Sequence, residues 1–168
     1  MNSKLESIFA NLMQELAPSE EQDRFLQTPI LAAKAWRELC AVQTVRPEEL
    51  LYQQRLPADS FQGRVGLPNL AFLSICEHAL LPYFGEVEIQ FEPQQWLAGA
   101  GAFEQIVRAC SQKLSLQESL NQRIFEVIRD VLEPRFLQVR IEARHTCMQG
   151  RILTTCCVTS MKAQPTKQ

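Results

Sequence analysis

Apolar residues near the amino terminus return to one face of a helix. Leu5, Ile8, Phe9, Leu12, Met13 and Leu16 form this stripe. Pro18 ends it, and Ser19-Glu20-Glu21 opens a further segment. A second helix is predicted from about Pro29 to Cys40, with Thr28 suited to the N-cap and Pro29 to the first helical position. From Thr44 to Asn69 the period is lost. Pro47, Pro57, Gly63, Gly66 and Pro68 predict irregular connection with short strand pieces.

Beyond this the period becomes two. Val87, Ile89 and Phe91 alternate with Glu86, Glu88 and Gln90, as a half-buried antiparallel strand requires. Phe103 to Leu114 reads as a helix. Another runs from about Leu116 to Leu132, with Leu120, Ile124, Val127, Ile128 and Val131 on its apolar face. Ser115-Leu116-Gln117-Glu118 has the spacing of a capping box, and Pro134 stops the helix. Leu137, Val139 and Ile141 alternate again on the way to His145, and Ile152 to Ser160 forms a last strand candidate. Helices, strands, two helices and strands in this order predict an α+β domain with its helices on one sheet face. There is no internal repeat.

Composition narrows the function. A chain of 168 residues is long enough for one domain with a real core. Its formal net charge is −2, and its Lys and Arg are scattered, so nothing points to a nucleic-acid partner. No apolar run approaches the roughly 20 residues that span a bilayer. The first residues lead into an amphipathic stretch rather than a signal peptide. The six cysteines therefore read as reduced thiols of a cytoplasmic protein. Cys40, Cys110, Cys156 and Cys157 are read as packing residues.

The remaining two cysteines carry the chemical signal. The chain has only two histidines, and each lies two residues from a cysteine, in Cys76-Glu77-His78 and His145-Thr146-Cys147. Thiolate and imidazole are preferred zinc ligands. In extended backbone, residues two apart face one side, so each pair can offer both groups to one pocket. Plainer readings stay open. The histidines could be satisfied interior residues, Glu118 could only cap its helix, and Arg151 could be an ordinary surface strand residue.

The segment Ser74-Ile75-Cys76-Glu77-His78-Ala79-Leu80-Leu81-Pro82-Tyr83-Phe84-Gly85 resembles the GTP cyclohydrolase I signature S-x-C-E-H-H-x-x-P-F-x-G. His145-Thr146-Cys147-Met148 followed by Arg151 is similar to its second signature. Gln117-Glu118 falls on its Q-E pair. Thr28-Pro29 with Ala33-Lys34-Ala35-Trp36 resembles its T-P-x-R-V-A-K-A-W segment.

The resemblance covers about Thr28 to Ser160. It implies a tunnelling fold, in which an antiparallel sheet with two inserted helices follows N-terminal helices. The expected organisation is an N-terminal helical segment over 1–27, the tunnelling-fold domain over 28–161 and a disordered tail over 162–168. The family assembles as homo-oligomeric rings, usually decamers. It hydrolyses GTP to dihydroneopterin triphosphate and formate, with zinc activating the water.

Carried over residue by residue, Cys76 and Cys147 fall on the zinc thiolates, and His78 and His145 on the catalytic histidines. Gln117 and Glu118 fall on the guanine-recognition pair, and Arg151 on a triphosphate contact. Several positions depart from the pattern. The third zinc ligand is replaced by Ala79. The triphosphate-binding positions hold Leu31, Gly101-Ala102 and Gln105. Zinc binding is therefore expected to be weakened or absent, unless His78 or His145 completes the site. Three lost charge-assisted contacts, each worth roughly 1.5–3 kcal/mol, predict weak triphosphate recognition. The expected function is hydrolysis or binding of a guanine- or pterin-type ring. The alternative is a non-catalytic homologue that binds a purine or pterin, or regulates an active partner.

Overall fold

Alternation along the strands sets up the central sheet. In the computed structural model, which describes residues 3–40, 46–148 and 150–159, the chain forms two compact units, 1–41 and 42–168. The tail expected over 162–168 lies outside the described residues.

The first unit contains α1 (Lys4–Leu16), a 3-10 helix (Ser19–Phe25) and α2 (Thr28–Leu39). Ser3 starts α1 with a capping box. Its hydroxyl accepts from Glu6 N at 3.3 Å, and Glu6 accepts from Ser3 N at 3.2 Å. The Ser3 hydroxyl also donates to Glu6 Oε1 at 2.9 Å, and this bond, with the Ser3 N–H bond and the nearby Arg37, lowers the Glu6 carboxyl pKa. Phe9 packs on Trp36 with ring centroids 6.0 Å apart. A helix pair this short encloses little. Ala33 is buried, while Ile8, Leu12, Leu16 and Leu26 of the apolar faces remain exposed.

In the second unit, α3 (Pro47–Gln53) precedes β1 (Arg55–Pro57), β2 (Val65–Ile75), β3 (Pro82–Glu92) and β4 (Trp96–Ala98). Then come α4 (Ala100–Ser111), α5 (Gln117–Leu132), β5 (Phe136–His145) and β6 (Arg151–Thr159). The main sheet has the order β2-β3-β5-β6 and is antiparallel throughout. β1 and β4 pair as a separate ribbon. Phe103, Ile106 and Val107 of α4 and Leu120, Ile124 and Ile128 of α5 share one core with Val87, Ile89, Val139 and Ile141 of the sheet. Each such fully buried aliphatic side chain contributes about 1.5–3 kcal/mol. The alternate residues, among them Phe84, Glu86, Arg144, Arg151 and Leu153, are exposed.

Four local expectations are corrected. The stretch read as irregular contains α3, favoured by Pro47 at its start, Glu48 and Glu49 in its first turn, and the burial of Leu51. It is too short, at 7 residues, to show a period. The helix expected over Phe103 to Leu114 runs Ala100–Ser111, because Lys113 and Leu114 are drawn to β2. Ser74 donates to Lys113 O at 3.0 Å, and Leu114 bridges Ile75. Ser115 does not cap α5. It is buried, its hydroxyl meets the Tyr83 hydroxyl at 3.1 Å, and its N–H donates to Ile75 O at 3.1 Å. The packing role read for Cys157 also fails in this chain, where β-strand alternation leaves that thiol exposed.

A candidate metal centre beside an exposed carboxylate

Strand register brings the two cysteine–histidine segments together. β2 ends at Ile75 opposite Pro82, and Tyr83 pairs with His145 at the end of β5. Cys76 follows β2 directly and is buried. Its loop is closed by two backbone bonds, Leu80 N to Cys76 O at 2.8 Å and Cys76 N to Leu81 O at 2.9 Å. Leu80 takes the left-handed φ of 53° that this tight return requires. On the other side, Thr146 donates to Pro82 O from its hydroxyl at 2.8 Å and from its N–H at 3.3 Å. That tie holds the turn carrying exposed Cys147 against the start of β3.

The result is a three-group cluster. The ligand atoms of Cys76, His145 and Cys147 all lie within 4.8 Å of one another. A tetrahedral zinc site, with bonds of about 2.0–2.3 Å, spaces its ligand atoms roughly 3.5–4 Å apart, so a small closure suffices. Two thiols and one imidazole suit zinc in type and number, and leave a fourth position open. The residues present therefore fit the ion.

His145 is held at one ring face and at Nε2. Its ring stacks on Tyr83, centroids 4.5 Å apart and planes 10° from parallel. Its Nε2 meets Gln117 Oε1 at 3.0 Å. Burial lowers its pKa, and the nearby negative charge of Glu118 pulls the other way. Tyr83 is shifted up, chiefly by burial, with the Ser115 bond opposing.

The other expected site residues lie at different depths. His78 is exposed in the turn after Cys76, beside exposed Ala79, and it is outside the three-group cluster. Glu118 is exposed in the first turn of α5. Gln117 is buried, and its amide is engaged within the protein. Arg151 is exposed and donates to Glu142 at 2.8 Å. It lines a cavity of about 370 Å³ with Phe84, Arg144, His145, Thr146 and Met148. Arg144 was not marked by any motif. Only its place beside His145 on this cavity draws attention to it.

The replaced family positions are accommodated as neutral groups. Ala102 is buried in the core. Gln105 accepts from Gln54 at 3.0 Å, and Leu31 is exposed on α2. Among the described residues, no helix is long and apolar enough to cross a membrane.

Two strands, two helices and two strands around one antiparallel sheet define a tunnelling-fold protein. The structure is similar to that of the archaeosine synthase QueF-like in the apo form, with a TM-score of 0.54 at 14% identity, over 61% of this chain and 100% of that one. The GTP cyclohydrolase I family model matches residues 5–164, and the chain belongs to that family. It is 32% identical over 151 residues to GTP cyclohydrolase 1 of Chlorobium chlorochromatii (strain CaD3), covering 90% of this chain and 67% of that protein. It is 32% identical to the Porphyromonas gingivalis enzyme, covering 89% of this chain and 77% of the relative. For Methylococcus capsulatus the figures are 31%, 90% and 81%.

Proposed function

We propose that this chain is a GTP cyclohydrolase I-like protein that binds and hydrolyses a guanine- or pterin-type ring. The observation that carries the reading is the convergence of Cys76, His145 and Cys147, with Glu118 close enough to act on His145 electrostatically. In the family reaction GTP and water give formate and dihydroneopterin triphosphate. A zinc ion held by the three groups would supply Lewis-acid activation of water. Glu118, open to solvent, can accept two N–H bonds from a guanine edge. His78, in the exposed turn next to Cys76, is the proposed proton carrier. The protein is proposed to act in the cytoplasm as a homo-oligomeric ring, a decamer where it follows the family pattern. The uncovered apolar residues of α1 and the open edges of β2 and β6 support assembly. A stable monomer in light scattering would remove the ring.

A non-catalytic binder is the second reading, favoured by Ala79, Ala102, Gln105 and Leu31 in place of ligand and phosphate-binding groups. One experiment separates the two. The zinc-supplemented protein is incubated with GTP, guanosine and a reduced pterin, and formate release and ring absorbance are followed while calorimetry measures binding. Formate release establishes hydrolysis. Binding without turnover selects the second reading, and no binding to any of the three rejects both.

A further inference from the structure

Gln117 is the residue whose surroundings depart furthest from the role that family resemblance would assign it. It is buried, 28 positions before His145 in the chain, and every polar atom of its amide has a partner. Nε2 donates toward Ile152 O at 3.0 Å, Ile141 O at 3.1 Å and Thr154 Oγ1 at 3.2 Å. Two of these partners are backbone carbonyls of β5 and β6, which can only accept. They fix the amide with its nitrogen toward the sheet and its oxygen toward His145. Rotating the amide by half a turn would set oxygen against two carbonyl oxygens. Asn121, also buried, donates to the same Thr154 hydroxyl at 2.9 Å and braces it from α5.

The consequence for His145 follows from donor and acceptor rules. Gln117 Oε1 accepts, so Nε2 of His145 must donate. A neutral imidazole protonated at Nε2 carries its lone pair on Nδ1. The Tyr83 stack fixes the plane of the ring. A ligating histidine whose second nitrogen is held by a protein acceptor is the usual arrangement of a metal site.

We propose that Gln117 is a positioning residue that presents Nδ1 of His145 as a metal ligand, so that His145 takes the place left by the family histidine at Ala79. This rests on the reading of a zinc centre at Cys76 and Cys147. Recognition of the ring edge then falls to Glu118, and His78 is left free of metal.

The test uses the full-length protein titrated with Co(II) and competed with Zn(II). Two thiolates give intense charge-transfer absorption, and tetrahedral geometry gives visible d–d bands. Wild type is expected to show both, at one metal per chain. His145→Ala should lose the tetrahedral bands. Gln117→Leu should weaken zinc binding by roughly 10–100-fold, the usual effect of removing a ligand's hydrogen-bond partner. Gln117→Glu keeps an oxygen for His145 and should stay within a few-fold of wild type.

Thermal unfolding without metal shows whether each variant is folded. If Gln117→Leu does not fold, wild type alone decides the matter. Long-range 15N correlation spectra of zinc-loaded protein, with only two histidines to assign, should show His145 protonated at Nε2 and ligated at Nδ1. Ligation through Nε2, or metal binding unchanged in His145→Ala, overturns the proposal while leaving the zinc centre standing. A wild type that binds neither Co(II) nor Zn(II) overturns both.

Discussion

The rings of Tyr83 and His145 stack face to face, 4.5 Å between centroids, across the β3–β5 register. Tyr83 is held by the Ser115 hydroxyl and the edge of Phe72, so the stack transmits the rigidity of the core to the candidate ligand. Tyr83→Phe keeps the stack and loses one buried bond, an expected cost of about 1–2 kcal/mol. Tyr83→Ala removes the stack and opens a cavity, at about 3–5 kcal/mol. Urea unfolding of the two variants gives the comparison. Equal stabilities would mean that the ring contributes nothing beyond its hydroxyl.

Gly85 admits no side chain. A Cβ there would lie 2.0 Å from Glu142 O and 2.7 Å from Ala143 Cα, both on the paired strand. Backbone cannot yield as a flexible side chain does, so Gly85→Ala must push β3 from β5. A loss above about 3 kcal/mol is expected, or failure to fold. Recovery of Gly85→Ala with a midpoint near wild type in urea would contradict the close approach.

Burial of Cys110 in the core pushes its thiol up to about 12, against an ordinary value of 9.0. Alkylation at pH 8 should therefore modify exposed Cys147 and Cys157 in the folded protein, and Cys110 only after unfolding. The raised value also has a thermodynamic sign. Between the two values the unfolded thiol has lost its proton and the folded one has not. The Cys110 contribution is complete below the ordinary value and is lost as pH rises through the folded one. Cys110→Ala should show a shallower fall in stability over this alkaline window. An unchanged slope would show that other groups set it.

Exposed Glu118 is the proposed reader of the ring, while neutral Leu31, Ala102 and Gln105 stand where the family resemblance implies triphosphate contacts. Guanosine, GTP and a pterin are expected to bind with similar affinity. Glu118→Gln should weaken all three by on the order of 1–3 kcal/mol, because an amide oxygen and an N–H donor cannot replace two carboxylate acceptors. Calorimetry checks both statements. GTP binding a hundredfold tighter than guanosine would show that other cations, Arg144 and Arg151 first among them, rebuild a phosphate site.

Ala79→His places a histidine where the family resemblance implies a third zinc ligand, in the turn next to Cys76. Zinc affinity, measured by competition with a chromophoric chelator, should rise. If it does not, the three groups already present satisfy the ion, and the turn holds position 79 away from it.

Much of the architecture was legible along the chain because it depends on local period. The alternation of Val87, Ile89 and Phe91 and the helical face of Leu120, Ile124 and Ile128 each imply one buried side, and those sides share one core. The seven-residue α3 was not legible, since it is shorter than two full repeats of its pattern. Cys76, His145 and Cys147 were legible as candidates by ligand type. Whether His78 or His145 joined the sulfurs was open, because the two histidines have the same spacing from a cysteine.

Register decided that question. Tyr83 opposite His145 brings the end of β5 to the end of β2, while His78 stays in an exposed turn. The same holds for Ser115, whose local spacing suggested a helix cap, and for Gln117, for which the family resemblance implied a ring contact. Both are buried, and a buried polar group must take whatever partner the fold sets within reach. For Ser115 that partner is Tyr83, and for Gln117 it is His145, each far away in sequence. The chain alone could name the groups able to bond, but only the packed sheet and helices determined which of them meet.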